Sequence, residues 1–211
     1  PNGVWLTARH VVEGCREVIV QGGLKDGQPA NLRHTKVTLH RAADVAVIRS
    51  SPTDYDRTPF VLAARGDTAG EAFHIGFPRG KPGAVHSRFL GRQQVRRLRR
   101  SEGSEGVLVW AEISRIPNFS GALGGISGGV VVDRTGAIIG TNSAGSARRG
   151  RLLTSRPETL RDIVRQSGET VAPAPKTRPM IAELNSKSYP AFAKSAIQGR
   201  RVVRVICKRK R

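Results

Sequence analysis

The sequence predicts a mainly β fold, an antiparallel barrel or sandwich, on three observations. Apolar runs recur along the first two thirds of the chain, and most are four to seven residues long. They are dense in Val and Ile, the residues that fit a pleated, half-buried surface. The breaks between them, such as Asp26-Gly27, Gly80-Lys81-Pro82-Gly83 and Asp133-Arg134-Thr135-Gly136, are turn sequences rather than the helical crossovers that a parallel sheet requires.

In order, the expected strands are Val4–Ala8, Glu17–Val20, Lys36–His40, Val45–Arg49, Ala72–Ile75, Val85–Leu90, Val107–Glu112, Val130–Val132 and Ala137–Thr141. The pattern then changes at Pro157, which suits the first position of a helix. Leu160, Ile163 and Val164 follow at helical spacing, and Ser167-Gly168 stops the run. Residues 171–179 carry three prolines and read as a stiff extended linker. Beyond it, Ala191–Gln198 suits a short helix and Val202–Ile206 a strand, ending in the basic run Lys208–Arg211. The expected organisation is a domain over 1–168, a Pro-rich linker over 169–180 and a basic C-terminal extension over 181–211. The extension is too short for a core of its own. It must pack on the barrel, on a partner, or stay mobile.

Composition bounds the function classes. Adding the 24 glycines to the 38 % apolar set and leaving out the two tyrosines gives roughly 48 %, the value of an ordinary globular domain. The balance of 36 basic against 16 acidic residues leaves a formal charge of +20, which suits an anionic partner or surface. No apolar stretch reaches the ~18 residues of a membrane span, and residues 1–20 lack the basic start and apolar block of a signal peptide. Two cysteines, Cys15 and Cys207, are too few for a disulfide scaffold or a thiolate zinc site; they form one bridge or none.

Three local patterns carry chemistry, in the order His, Asp, Ser. His10 ends the apolar strand Leu6-Thr7-Ala8 and enters a short turn or helix; Asp44 opens the run Val45-Ala46-Val47-Ile48; Ser127 sits in the glycine-dense loop Gly125-Ile126-Ser127-Gly128-Gly129. A serine hydroxyl attacks a carbonyl poorly unless a base takes its proton. An imidazole, with an ordinary pKa of ~6.5, can take and return one near neutrality. A buried carboxylate on the other ring nitrogen fixes the tautomer, which is the role open to Asp44. Glycines around the serine let backbone amides converge into an oxyanion hole.

These residues resemble the trypsin-like serine peptidases of the chymotrypsin fold, and more closely their bacterial branch, over about residues 4–166. Thr7-Ala8-Arg9-His10, Asp44-Val45-Ala46 and Gly125 to Gly129 match the family's three motifs. Gly76-Phe77-Pro78 with Pro82-Gly83 resembles the opening of the second barrel. The resemblance implies two antiparallel six-stranded β-barrels with a short closing helix, and a serine endopeptidase acting through an acyl-enzyme on a protein or peptide substrate. It further implies an oxyanion hole from the amides of Gly125 and Ser127. It places a substrate pocket between Gly121–Gly124 and Asn142–Gly145, lined by Gly121, Ala122, Asn142 and Gly145, with Ser143 supporting Asp44. A periplasmic or secreted location follows from the resemblance alone. Digestive members carry an aspartate before the serine; this chain has Ile126, so activation through a newly cut N-terminus is not expected. Only Pro1-Asn2-Gly3 precede the first motif strand, so the first barrel is expected to be incomplete unless Val202–Ile206 fills part of the gap.

No Cys/His cluster has metal-ligand spacing and no nucleotide-binding motif occurs, so no metal and no cofactor are expected. The arginines cluster around Arg88–Arg100, Arg148–Arg151 and Arg200–Arg204. An acidic protein or anionic polymer is a candidate partner for them. Nucleic acid is disfavoured, because aromatics are only 5 % and none interleaves the basic runs. The competing reading is a non-catalytic module of the same fold that binds an anionic partner through its Arg-rich face.

Overall fold

The computed structural model describes residues 3–25, 28–51, 59–63, 70–96, 104–170 and 183–209. The Asp26-Gly27 break, the linker over 171–179, Arg97, Arg99, Arg100 and Lys210-Arg211 lie outside the described residues. Among the described residues eleven strands form two sheets, and the fold is mainly β as the apolar runs predict.

One sheet is a closed six-stranded barrel. Its strands are β5 (Glu71–Gly76), β6 (Gly83–Arg96), β7 (Ser104–Ile116), β8 (Val130–Val132), β9 (Ile138–Ser146) and β10 (Arg151–Thr154), in the order β10-β7-β6-β5-β8-β9. The other is a curled, open five-stranded sheet rather than a second six-stranded barrel. Its strands are β1 (Val4–Thr7), β2 (Glu17–Lys25), β3 (Gln28–Leu39), β4 (Ala46–Ser50) and β11 (Arg204–Lys208), in the order β1-β4-β3-β2-β11.

The tail strand fills part of the gap, as the sequence reading allowed. Strand β11 begins two residues later than expected and pairs antiparallel with β2, Cys207 opposite Val18. Cys15 and Cys207 are disulfide-bonded, with Cα atoms 5.4 Å apart. That bridge joins the two ends of the described chain, a separation of 192 residues. Long closed loops lose the most unfolded-state entropy when cross-linked.

Period-2 alternation explains how β5 serves two cores at once. Phe73 and Ile75 point to a cluster that also holds Leu160 and Ile163 of helix α2 (Pro157–Gln166) and Tyr189, Ala193 and Ala196 of helix α3 (Tyr189–Gln198). Tyr189 stacks on Phe73 at 5.5 Å. The C-terminal extension therefore packs against the closed barrel through α3 and joins the open sheet through β11. Ala72 faces the other way, into the barrel cluster with Trp110, Leu108 and Leu152.

His74 shares that inward face and is fully buried, with its ring edge-on to Trp110. Nδ1 lies 2.7 Å from Asn142 Oδ1 and Nε2 lies 2.7 Å from Ser87 Oγ. Burial pushes its pKa down to about 4, with the Asn142 hydrogen bond opposing. A histidine lowered in the folded state binds its proton more readily unfolded. Its contribution is complete above the ordinary value of about 6.5 and is lost as pH falls toward the folded value. Between pH 7 and 4.5 this costs about 2–3 kcal/mol. Urea titrations at the two pH values should show that loss, and it should shrink by that amount in His74→Gln. Equal acid sensitivity in the two proteins would remove His74 as its source.

Candidate active site

The pairing of β1 with β4 sets Thr7 opposite Ala46, so the residues just after one strand meet those just before the other. Beyond Thr7 the chain turns at Ala8 into a single helical turn, α1 (Arg9–Val12), which carries His10. Asp44 lies two residues before β4. His10 Nδ1 stands 2.7 Å from Asp44 Oδ2, and the His10 amide donates to Asp44 Oδ1 at 2.9 Å. An ionised carboxylate can only accept, so the Nδ1 position carries the proton and Nε2 is left with its lone pair. Asp44 is buried, while the His10 side chain is 48 % exposed.

The loop before β8 is pressed against the same place from the closed barrel. Gly128 has φ +77, and a Cβ there would lie 2.2 Å from Thr7 Oγ1 and 2.9 Å from the Ala8 nitrogen. Only glycine permits both the conformation and the approach. Ser127, half-buried, is thereby set beside the strand end that delivers His10. The loop is fixed by Gly128 N–H to Asn142 O at 2.8 Å and Gly129 N–H to Ile126 O at 2.9 Å. Among the described residues, no backbone carbonyl accepts from the amide of Gly125 or of Ser127.

The structure disposes the expected pocket residues differently. Gly121, Ala122 and Gly145 are exposed, whereas Asn142 is buried and directs its amide group into the barrel, toward His74 and the Gly129 carbonyl. Asn142 thus offers this region its backbone, not its side chain. The Ser143 hydroxyl donates to the Leu153 carbonyl at 3.1 Å rather than toward Asp44. A cavity of about 720 Å³ reaches Gly125 and Ser127, but its walls also include β1, Phe60–Leu62, Phe77 and 199–205, at the open seam of the five-stranded sheet.

Three groups around Asp44 escape the sequence reading. Glu105, buried on β7, accepts from the Asp44 amide at 2.9 Å. It stands in the run Ser101-Glu102-Gly103-Ser104-Glu105-Gly106, whose composition signals only a polar loop. Arg9, also buried, pairs with Glu13 at 2.9 Å and donates to the His40 carbonyl. His40 Nδ1 accepts the amides of Ala42 and Ala43 at 3.1 and 2.8 Å, and its Nε2 meets Asp162 Oδ2 at 2.9 Å. The His40 hydrogen bond is the main cause holding the Asp162 carboxyl below its ordinary range, against partial desolvation. Together these contacts shape the 40–44 turn from which Asp44 projects. Among the described residues, no group of three or more His, Cys, Asp or Glu side chains is placed to hold a metal ion.

Comparison with known proteins places the fold. A family model described as a trypsin-like peptidase domain matches residues 1–140. No curated protein sequence matches the chain. Among solved structures, the fold is similar to the active form of the Rv3671c protease from M. tuberculosis, at 19 % identity over 82 % of this chain and 72 % of that one, with a TM-score of 0.62. It is also similar to the HtrA-type protease AlgW with a decapeptide, at 21 % identity over 80 % of this chain and 50 % of that one, TM-score 0.56. The MamO protease domain from Magnetospirillum magneticum is similar at 18 % identity, over 76 % and 82 % of the two chains, TM-score 0.53.

Proposed function

Since this chain belongs to the trypsin-like peptidase family, we propose that it is a serine endopeptidase in which Ser127 is the nucleophile, His10 the general base and then acid, and Asp44 the residue that orients His10. The 2.7 Å contact from His10 Nδ1 to Asp44 Oδ2 carries this reading, because it leaves Nε2 as an acceptor. A proton taken from Ser127 Oγ at Nε2 lets the oxygen attack the scissile carbonyl. The amides of Gly125 and Ser127 would receive the developing oxyanion, and one such donor is worth about 3–4 kcal/mol. His10 returns the proton to the leaving amine, and water then deacylates the enzyme. A fluorophosphonate probe tests the assignment: the adduct should map to Ser127 on the intact protein, and an adduct elsewhere would overturn it.

The substrate class is a protein or peptide chain, with cleavage after small or medium apolar residues. The family resemblance assigns Gly121, Ala122, Asn142 and Gly145 to the pocket, and no acid lies among them to pair a basic substrate side chain. Glu112, which Arg115 links to this loop, is already paired with that arginine. Peptide-library profiling decides the point, since dominant cleavage after Arg or Lys would contradict it. A disulfide between Cys15 and Cys207 suits an oxidising compartment, such as a periplasm or the cell exterior. Among the described residues, no helix is long and apolar enough to cross a membrane.

A further inference from the structure

The loop 119–125, from Phe119 to Gly125, contains three glycines and ends on the amide proposed for the oxyanion hole. Such a segment has high conformational entropy and needs external anchors to present its groups in one geometry. The anchors come from two arginines outside it. Arg79 lies in the turn between β5 and β6 with φ 54 and ψ 28, the left-handed region that a non-glycine residue seldom occupies. That conformation lets its backbone N–H reach Gly124 O at 2.6 Å. Its guanidinium donates to Ser120 O at 2.7 Å. A Cβ on Gly121 would sit 2.7 Å from Arg79 Nη2, so the guanidinium occupies the space a side chain would take.

From the end of β7, Arg115 reaches the same loop. Its Nη1 donates to Gly121 O at 2.8 Å and to Phe119 O at 3.3 Å, while Glu112 holds the other side of the fork. Both guanidinium carbons stand over the Phe119 ring, at 4.9 Å for Arg79 and 4.8 Å for Arg115. Guanidinium groups stack on an aromatic face and still donate in plane. One half-buried ring and two forks therefore fasten three of the loop's carbonyls, and the Arg79 backbone N–H holds a fourth.

We propose that Arg79, Arg115 and Phe119 form a clamp that positions the loop 119–125, setting substrate selectivity and the placement of the Gly125 amide without touching the reacting atoms. The selectivity part rests on the peptidase reading above; the clamp itself does not. A lysine in either place would keep the charge and lose the planar fork, so the device is specific to arginine.

Arg79→Gly is the informative variant, because glycine adopts φ 54 freely and keeps the backbone bond to Gly124 while deleting the guanidinium. Hydrogen–deuterium exchange on the full chain should show the amides of residue 79 and Ile126, which donate to Gly124 O and Leu123 O of the loop, exchanging about tenfold faster or more, with those of β9 unchanged. With active enzyme, selectivity in the peptide library should flatten and kcat/KM for the best substrate fall about 10- to 100-fold, the range expected when a reacting group is misplaced by an ångström. Phe119→Leu should act in the same direction. The double variant should be no worse than the poorer single one, since both break one contact. Wild-type exchange in Arg79→Gly, or two effects that multiply independently, would overturn the clamp. If the wild-type chain hydrolyses nothing, the peptidase reading falls, and the exchange measurement still decides the clamp.

Discussion

Replacing Ser127 with Ala should lower kcat for peptide hydrolysis by about 10⁶, the loss seen when a triad nucleophile is removed. The change deletes one oxygen from a half-buried side chain and leaves untouched the glycine contact against Thr7 and the bonds from Gly128 and Gly129 that hold the loop. Stability should therefore stay within about 0.5 kcal/mol of wild type, as for a substitution that creates no cavity. A protein that folds normally and no longer hydrolyses is the expected result, read by thermal unfolding beside a steady-state assay. If Ser127→Ala hydrolyses peptides as fast as the parent, the serine is not the nucleophile. The rival reading of a non-catalytic, anion-binding module then gains ground, and its signature would be polyanion affinity that drops steeply with salt.

Much of the architecture was legible because the chain writes its strands in the period that strands impose. The runs at Val4, Val45, Ala72 and Val130 fall on β1, β4, β5 and β8 with small end errors. The misses have physical reasons. Strand β10, Arg151–Thr154, has only four residues and opens on an arginine, so it gives no apolar run; its place comes from pairing with β7 on one side and β9 on the other. Strand β6 extends past its apolar segment through Arg92, Gln93 and Gln94, a polar stretch held by backbone pairing with Leu108, Val107 and Gly106 of β7. The Cys15–Cys207 bridge depends on β11 lying beside β2, a contact 192 residues apart that no local pattern encodes.

The same division runs through the site. His10, Asp44 and Ser127 are legible as candidates because each sits in a short local motif, and one glycine of those motifs, Gly128, is required where its loop meets Thr7. Their supports are not. Glu105 reaches Asp44 from a distant strand, and Arg9 and His40, although near the motifs in sequence, take partners 31 and 122 residues away. Asn142 shows the opposite error. A residue expected on a pocket wall turns inward, because buried His74 needs a partner and the strand's alternation aims Asn142 at it.

Asp44→Asn should cost about 10⁴ in kcat with little change in KM, and the reason is visible in the hydrogen bonds. The two carboxylate oxygens serve two donors of one residue, Oδ1 the His10 amide and Oδ2 the Nδ1 proton. An asparagine has one oxygen for those two donors. The amide N–H of His10 belongs to the backbone and cannot change its role, so it claims the oxygen and leaves the NH₂ group facing Nδ1. Two donors cannot face each other, and the imidazole answers by moving its proton to Nε2. That nitrogen can no longer accept from Ser127. The fold should persist, because the backbone bond from residue 44 to Glu105 does not involve the substituted group. Nitrogen NMR of the imidazole reads the tautomer directly: protonated Nδ1 in the parent at high pH, protonated Nε2 in the variant. A variant within tenfold of wild-type kcat, or one that keeps the parent tautomer while losing activity, would show that Asp44 does not act by orienting His10.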